Sequence, residues 1–310
     1  MKIRIGTRGS KLALWQANHV ADTLKAAGID SEIVTIETKG DKILNVSIAK
    51  IGSKGVFTEE IEEQLSNGAI DIAVHSAKDM QSTLPDGFEL IAFMEREKAA
   101  DVIISHKKSL SFDHDSDLLL GTASTRRVAT LARFYPNVRT TSVRGNLQTR
   151  IRKMEEGACD ALLLAYAGVH RMGYEDKIVA ELPMEEFIPA VGQGSVAVEV
   201  HEQLDDQKKD AIREALNHSE TETCLLAERA FLKTMDGGCS IPVFAMATLA
   251  NDVISLEGGI VSMDGKERIV KIVSGHSTEH QKIGNQLANE VLTSGGKEIL
   301  EEIKNQINEN

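Results

Sequence analysis

Cysteine is scarce: Cys159, Cys224 and Cys239 are the three in 310 residues. Their number is odd, they lie far apart and no CxxC pair occurs, which argues against a disulfide framework or a zinc site of that pattern. Long apolar runs are missing too. Nothing approaches the roughly 18 consecutive apolar residues of a membrane-spanning helix. The N-terminal Met1-Lys2-Ile3-Arg4-Ile5-Gly6 has no apolar core of signal-peptide length. The expectation is a cytoplasmic protein that does not engage a membrane. Positive charge is in deficit, with 35 Lys and Arg against 47 Asp and Glu, a net charge of −12 and a pI near 5.3. General binding to nucleic acid is therefore not expected, and any anion site must be local. Neither a GxxxxGKS/T phosphate loop nor a recognisable Ser-His-Asp set is present. His276 and His280 form a helix-spaced pair with no third ligand nearby, so no metal is expected.

What remains is the composition of an ordinary folded chain, 42% hydrophobic and 26% charged. Its length suits two domains, with three small ones permitted. Arg4 to Ser10 reads as a strand, a glycine turn and a Ser cap, followed by Leu12, Leu14, Trp15, Val20 and Leu24 at helical spacing up to Gly28. Leu118 to Ser124 repeats that grammar before Val128 and Leu131. The later halves agree, because Gly68 precedes the apolar Ile70 to Val74 just as Gly157 precedes Cys159 to Leu163. Two related α/β lobes with mainly parallel strands follow, and ligands of such sheets bind beyond the carboxyl ends of the strands, here in a cleft between lobes. Past Ser195 come a strand at Ala197 to Val200, a helix near Asp205 to Leu216 and a boundary near His218. The helix Glu222 to Met235 and strands Val243 to Leu249 and Val253 to Ile260 then read as a small α+β domain.

Between Leu118 and Met154 acidic residues are absent, while eight basic ones occur: Arg126, Arg127, Arg133, Arg139, Arg144, Arg150, Arg152 and Lys153. Arg is the planar, bidentate partner of carboxylates and phosphates. Arg126 and Arg127 fall in the first turn of a helix capped by Ser124, where cations are disfavoured, so something negative should offset them. Arg144-Gly145-Asn146 repeats the arrangement one helix later, with Arg150 a turn further on. The alternative is a solvated basic face paired with surface Glu. Lys78 and Asp79 follow the strand Ile72 to Val74 and sit at its carboxyl end, where a carboxylate could act as a general acid or stabilise a cation; taken alone, the pair reads as an ordinary loop salt bridge. Ile48 to Gly55 holds two glycines with Lys50 and Lys54 before Phe57 and Thr58 open a helix, a composition that suits a mobile lid or a plain loop. Cys239 lies in Gly237-Gly238-Cys239-Ser240, with open space around its thiol.

Together, Gly6-Thr7-Arg8-Gly9-Ser10 with Leu14-Trp15-Gln16, His75-Ser76-Ala77-Lys78-Asp79, Ser124-Thr125-Arg126-Arg127, Arg144-Gly145-Asn146, Pro189-Ala190-Val191-Gly192-Gln193-Gly194 and Gly237-Gly238-Cys239 resemble the porphobilinogen deaminase (hydroxymethylbilane synthase) family, in the family's order and along most of the chain. The resemblance implies an α/β fold of two type II periplasmic-binding-protein-like lobes plus a small C-terminal α+β domain. Domain 1 would be 1–94 with 195–214, domain 2 would be 100–190 and domain 3 would be 218–310. It implies a transferase of porphyrin and haem biosynthesis that condenses four porphobilinogen molecules head to tail, with loss of ammonia, and hydrolyses off the linear tetrapyrrole. It also implies a monomer and a dipyrromethane cofactor held by a thioether to Cys239.

By the same resemblance, Asp79 is the catalytic carboxylate, expected to be buried near the pyrrole nitrogens. Lys78, Asp79, Thr122, Ser124, Arg126, Arg127, Arg144, Gly145 and Arg150 would bind the cofactor. Arg8, Ser10, Phe57, Arg144, Arg150 and Arg171 would bind substrate, and Lys50 and Lys54 would belong to the mobile loop. Each pyrrole brings an acetate and a propionate, which accounts for an arginine-rich site in an acidic protein. One departure stands out: the family commonly continues Lys-Asp-hydrophobic-Pro, whereas Gln81 follows Met80 here, freeing φ and restoring an N–H donor. A non-catalytic solute-binding or effector-sensing module is the rival reading, since two such lobes would serve it equally well.

Overall fold

Ser10 converts the first strand into the first helix. Strand β1 (Lys2–Arg8) ends just before it, and the Ser10 hydroxyl accepts the Ala13 N–H at 3.2 Å, capping helix α1 (Lys11–Ala26). Ala17, Val20 and Leu24 then fall on one face of α1 and bury against Ile3 and Ile5 of β1. The computed structural model describes residues 1–38, 58–238 and 240–308, and these group into two compact units, Met1–Glu97 with Gly194–Glu222 and Lys98–Gln193 with Thr223–Asn310.

In the first unit β1 pairs in parallel with β2 (Asp30–Ile36) and β3 (Ile72–Ser76). Beyond β3 lies β10 (Val196–His201), antiparallel to it and to β4 (Phe88–Phe93), giving the order β2-β1-β3-β10-β4. The pleat sends Ile72 and Val74 to the face covered by α1 and by α6 (Asp206–Leu216), and Ala73 to the face covered by α2 (Glu59–Ser66). Gly6 sits where a Cβ would stand 2.2 Å from the Ile70 side chain, so only glycine lets the sheet close there. Asp71 accepts from the Arg4 backbone N–H at 2.8 Å, from its guanidinium at 2.9 Å and from Lys208 Nζ at 3.0 Å, tying the strand before β3 to β1 and α6.

The second unit repeats the plan. Strands β6 (Leu119–Gly121), β7 (Arg139–Thr141) and β8 (Ala161–Ala165) are parallel neighbours, and β5 (Asp101–Ile104) runs antiparallel between β8 and β9 (Ile178–Glu181), giving β7-β6-β8-β5-β9. Position for position this is the order of the first sheet, as the type II periplasmic-binding-protein-like reading requires. Helices α3 (Thr125–Phe134) and α4 (Leu147–Glu155) start from Ser124 and Asn146. Gly121 matches Gly6: a Cβ there would come within 2.8 Å of Leu162, Val143 and Cys159. The antiparallel strand of each sheet, β10 or β5, arrives from the part of the chain that has just left the other unit, and after Glu222 the polypeptide crosses a third time.

The C-terminal region contains α7 (Ser219–Thr234), an antiparallel meander of β11 (Val243–Ala250), β12 (Val253–Val261) and β13 (Arg268–His276), and helices α8 (His280–Val291) and α9 (Lys297–Asn308). Of the three domains expected above, 100–190 and residues 223–310 group into one unit, while 218–222 group with the first. Regions 100–190 and 223–310 share apolar contacts among Ala129, Ile188, Phe244 and Val261, and Arg133 donates to the carbonyls of Gly265 and Lys266. Buried Glu228 adds a link, accepting from Gly192 N–H and Ala247 N–H at 2.9 Å each.

Burial would push the Asp71 carboxyl up, but the bonds from Arg4 and Lys208 outweigh it and hold the group at about 2, below the ordinary value near ~3.9. A depressed folded-state pKa adds stability above the unfolded value and loses it as pH falls through the folded one. Urea midpoints should therefore decline as the pH drops from ~4 to ~2. Asp71→Asn should be less stable at neutral pH and show a shallower acid decline.

Candidate active site

In the first unit the parallel pairing of β1 and β3 brings their carboxyl ends to one edge of the sheet. Arg8 ends β1 and is half-buried, and the Ser10 hydroxyl is engaged as the α1 cap. After Ser76 the chain makes a single 3-10 turn, Ala77–Asp79. Buried Gln16 donates to Ser76 Oγ at 2.9 Å, and the Ala77 N–H donates to the Ser195 carbonyl at 3.0 Å, so the entry to the turn is held from two sides. Ala77 and Met80 point inward and are buried, which leaves Lys78 half-buried and Asp79 exposed. The expectation of a buried Asp79 carboxylate is corrected accordingly: a turn with Ala77 and Met80 as its inward anchors lifts the residue between them to the surface.

Beneath the turn lies a polar cluster that the sequence reading did not collect. His75 Nε2 is 3.0 Å from Glu199 Oε2, and both side chains are buried. Gln81, the departure noted above, donates its amide to Thr58 Oγ1 at 3.2 Å and Glu62 Oε1 at 3.3 Å. Burial pushes the Glu62 carboxyl up, partly opposed by its bond to Thr58. A signal existed in the string, for Glu199 interrupts the apolar run Ala197-Val198-Glu199-Val200.

In the second unit the carboxyl ends of parallel β6 and β7 are followed by the amino ends of α3 and α4, so two helix starts share one sheet edge. Thr122 Oγ1 accepts the Ser124 N–H at 3.3 Å, Ser124 caps α3 through the Arg127 N–H, and Asn146 Oδ1 accepts the Thr149 N–H at 2.9 Å. Gly145 adopts φ +119 and its carbonyl accepts Arg150 Nε at 2.8 Å, while Lys153 donates to the Arg144 carbonyl. Among the described residues the Arg144 guanidinium has no hydrogen-bond or ion-pair partner. Arg171 ends the short helix α5 (Tyr166–Arg171) that follows β8.

Arg126 and Arg127 are buried, and the negative group opposite them is internal. Asp101, fully buried on β5, accepts from both Nη2 atoms at 2.7 Å and from Gln193 Nε2 at 2.9 Å. Burial disfavours its charge, but the two guanidiniums outweigh that and hold the carboxyl well below the usual range. Arg126 also donates to the Ile188 carbonyl and Arg127 to that of Leu163. Two cations still face one carboxylate, and among the described residues the buried Nε atoms of both arginines have no partner. An unmatched positive charge with orphaned donors beside a helix amino end fits an anionic group such as the carboxylates of a dipyrromethane. Asp101 was the residue missed, although it opens the otherwise apolar Asp101-Val102-Ile103-Ile104. Of the remaining basic residues, Arg139 pairs with Asp117 and Arg152 with Glu156 on the exposed surface. Lys50, Lys54, Phe57 and Cys239 lie outside the described residues.

Removing the Asp101 charge should be severe, because Asp101→Asn leaves two buried guanidiniums without their counter-ion; the expected loss is ~3–5 kcal/mol. Arg144→Ala should leave the unfolding midpoint unchanged. Urea denaturation of both variants checks the contrast.

Residues 3–210 match the family described as "Porphobilinogen deaminase, dipyromethane cofactor binding domain", and residues 222–293 match "Porphobilinogen deaminase, C-terminal domain". Among relatives, the chain is 57% identical over 307 residues to the porphobilinogen deaminase of Desulfosudis oleivorans, covering 99% of each chain. It is 56% identical over 302 residues to that of Cytophaga hutchinsonii, covering 97% of each. Among solved structures it is similar to the periplasmic VFT2 domain of Bordetella pertussis BvgS, with 14% identity and a TM-score of 0.42 over 69% of this chain and 86% of that one. By sequence along nearly its whole length, the chain belongs to the porphobilinogen deaminase family.

Proposed function

We propose that Asp79 is the catalytic carboxylate of the reaction this family performs. That reaction is the transferase activity of hydroxymethylbilane synthase, which joins four porphobilinogen molecules head to tail with loss of ammonia and releases hydroxymethylbilane by hydrolysis, in haem biosynthesis. The observation that carries the proposal is an exposed carboxylate on a braced turn at the carboxyl edge of β1 and β3. Each condensation breaks a C–N bond as ammonia leaves, forms a C–C bond and releases a proton from the attacked pyrrole carbon. Positive charge develops on the substrate pyrrole meanwhile, and an anion held within reach of its N–H stabilises that charge. The same carboxylate is placed to accept the released proton.

When bound, the dipyrromethane cofactor supplies the pyrrole α-carbon to which the first unit is joined. We assign its attachment to Cys239 and the holding of its carboxylates to Arg126, Arg127, Arg144 and Arg150 with the capped helix starts at Ser124 and Asn146, and to Lys78. Arg8, Ser10, Arg144, Arg150 and Arg171 are assigned to substrate carboxylates, with Arg144 and Arg150 serving both ligands. Charge-assisted bonds of this kind contribute about 1.5–3 kcal/mol each. We also read the active species as a cytoplasmic monomer. A thiol awaiting its thioether is best kept in a reducing compartment. Light scattering across a concentration series tests the oligomeric state.

Asp79→Asn keeps the shape and removes the charge, so turnover should fall more than ~100-fold while the intact mass still shows the covalent adduct. Normal turnover in that variant removes Asp79 from the chemistry. Cys239→Ala should lack the added mass of two linked pyrroles even after incubation with porphobilinogen. An adduct that persists and maps to Cys159 or Cys224 overturns the attachment. Arg144→Ala should raise KM for porphobilinogen at unchanged thermal stability.

A further inference from the structure

Among the described residues the Asp79 carboxylate has no hydrogen-bond or ion-pair partner, so its place is set by the backbone on either side. The entry is held by Gln16 and Ser195, as described. At the exit the Met80 N–H reaches the Ala77 carbonyl only at 3.3 Å, and the next anchor is the Gln81 side chain. Its two amide hydrogens reach Thr58 Oγ1 and Glu62 Oε1, both on buried side chains at the start of α2. The Glu62 backbone N–H also donates to the Thr58 carbonyl at 2.7 Å, so Gln81 bridges two residues already joined in the first turn of α2. The dependence is mutual. Glu62 is a buried carboxylate facing Glu199, His75 and Glu59 as well as Thr58, and a carboxylate so placed needs donors.

We propose that Gln81 is a positioning residue: by donating to Thr58 and Glu62 it locks the exit of the Ala77–Asp79 turn and thereby the position of the Asp79 carboxylate. This rests on the reading of Asp79 given above. A side chain that fixes a reacting group to within a fraction of an ångström acts on the chemical step more than on substrate affinity.

The test uses holoenzyme whose loading is verified by intact mass and whose fold is verified by circular dichroism. Gln81→Leu removes both donations, Gln81→Glu sets a second carboxylate against Glu62, and Glu62→Gln sets two amides together. Each should lower kcat about tenfold and leave KM within about twofold. The exchange Gln81→Glu with Glu62→Gln restores a donor–acceptor pair with its direction reversed and should recover kcat to within about threefold of the parent. Gln81→Leu placed in the Asp79→Asn background should cost nothing further, because its effect runs through the carboxylate already removed. Parental kcat in folded Gln81→Leu and Gln81→Glu overturns the proposal, as does a double exchange no better than the worse single variant. If Gln81→Leu does not fold, the exchange pair decides alone. Should Asp79→Asn itself keep its turnover, the reading of Asp79 fails instead, a result distinct from loss in Asp79→Asn with full activity in the Gln81 variants.

Discussion

The second unit depends on one buried carboxylate. Asp101 sits at the start of an antiparallel strand that the chain lays between β8 and β9, and it receives Arg126, Arg127 and Gln193 together. Through those donors a single side chain joins β5 to the first turn of α3 and to the segment leading into the second crossing. Arg126 and Arg127 extend the ties to the carbonyls of Ile188 and Leu163. An ion cluster this deep holds because its carboxylate is met by two guanidiniums and an amide. It also remains one negative charge short, with two buried Nε donors left over.

The first unit solves the equivalent problem with different residues. Its inserted antiparallel strand, β10, carries Glu199 where it meets His75 on β3, next to the turn that presents Asp79. Each lobe thus buries a carboxylate on the strand inserted into its sheet, and each uses it near the carboxyl edge of its parallel strands. Around Asp79 the fold invests in anchors rather than in contacts to the carboxylate itself: Gln16, Ser195, Met80 and Gln81 brace the backbone, and the functional group stays open to a ligand. The second unit does the reverse with Arg126 and Arg127, whose guanidiniums are held by Asp101 and by backbone carbonyls and keep their Nε donors spare.

Much of this was legible in the string. The Ser10 and Ser124 caps, the helix-ending Gly68 and Gly157 at φ +72 and +90, and the repeated strand-turn-helix grammar all predicted local structure. Local rules suffice there because a cap or a left-handed glycine concerns only a few neighbouring residues. β13, α8 and α9 were not anticipated, since their residues become a core only when the meander and the two helices stack. The arginine surplus between Leu118 and Met154 pointed to an anion, but it did not say which arginines are buried.

Sequence alone determined the repeat, the capped helix starts, the arginine-rich segment and, through the ordered motifs, the family. Tertiary structure decided which groups are partnered and which are open. Asp101 lies far along the chain from Gln193, as His75 does from Glu199 and Thr58 from Gln81, and no periodicity connects such pairs. Only the insertion of β5 and β10 into sheets built from other parts of the chain brings them within hydrogen-bond distance. That placement leaves Asp79 exposed and, among the described residues, Arg144 without a partner while Arg126 and Arg127 are clamped. The physical reason is that burial and pairing are properties of the packed sheet edge, to which residues far apart in sequence contribute equally.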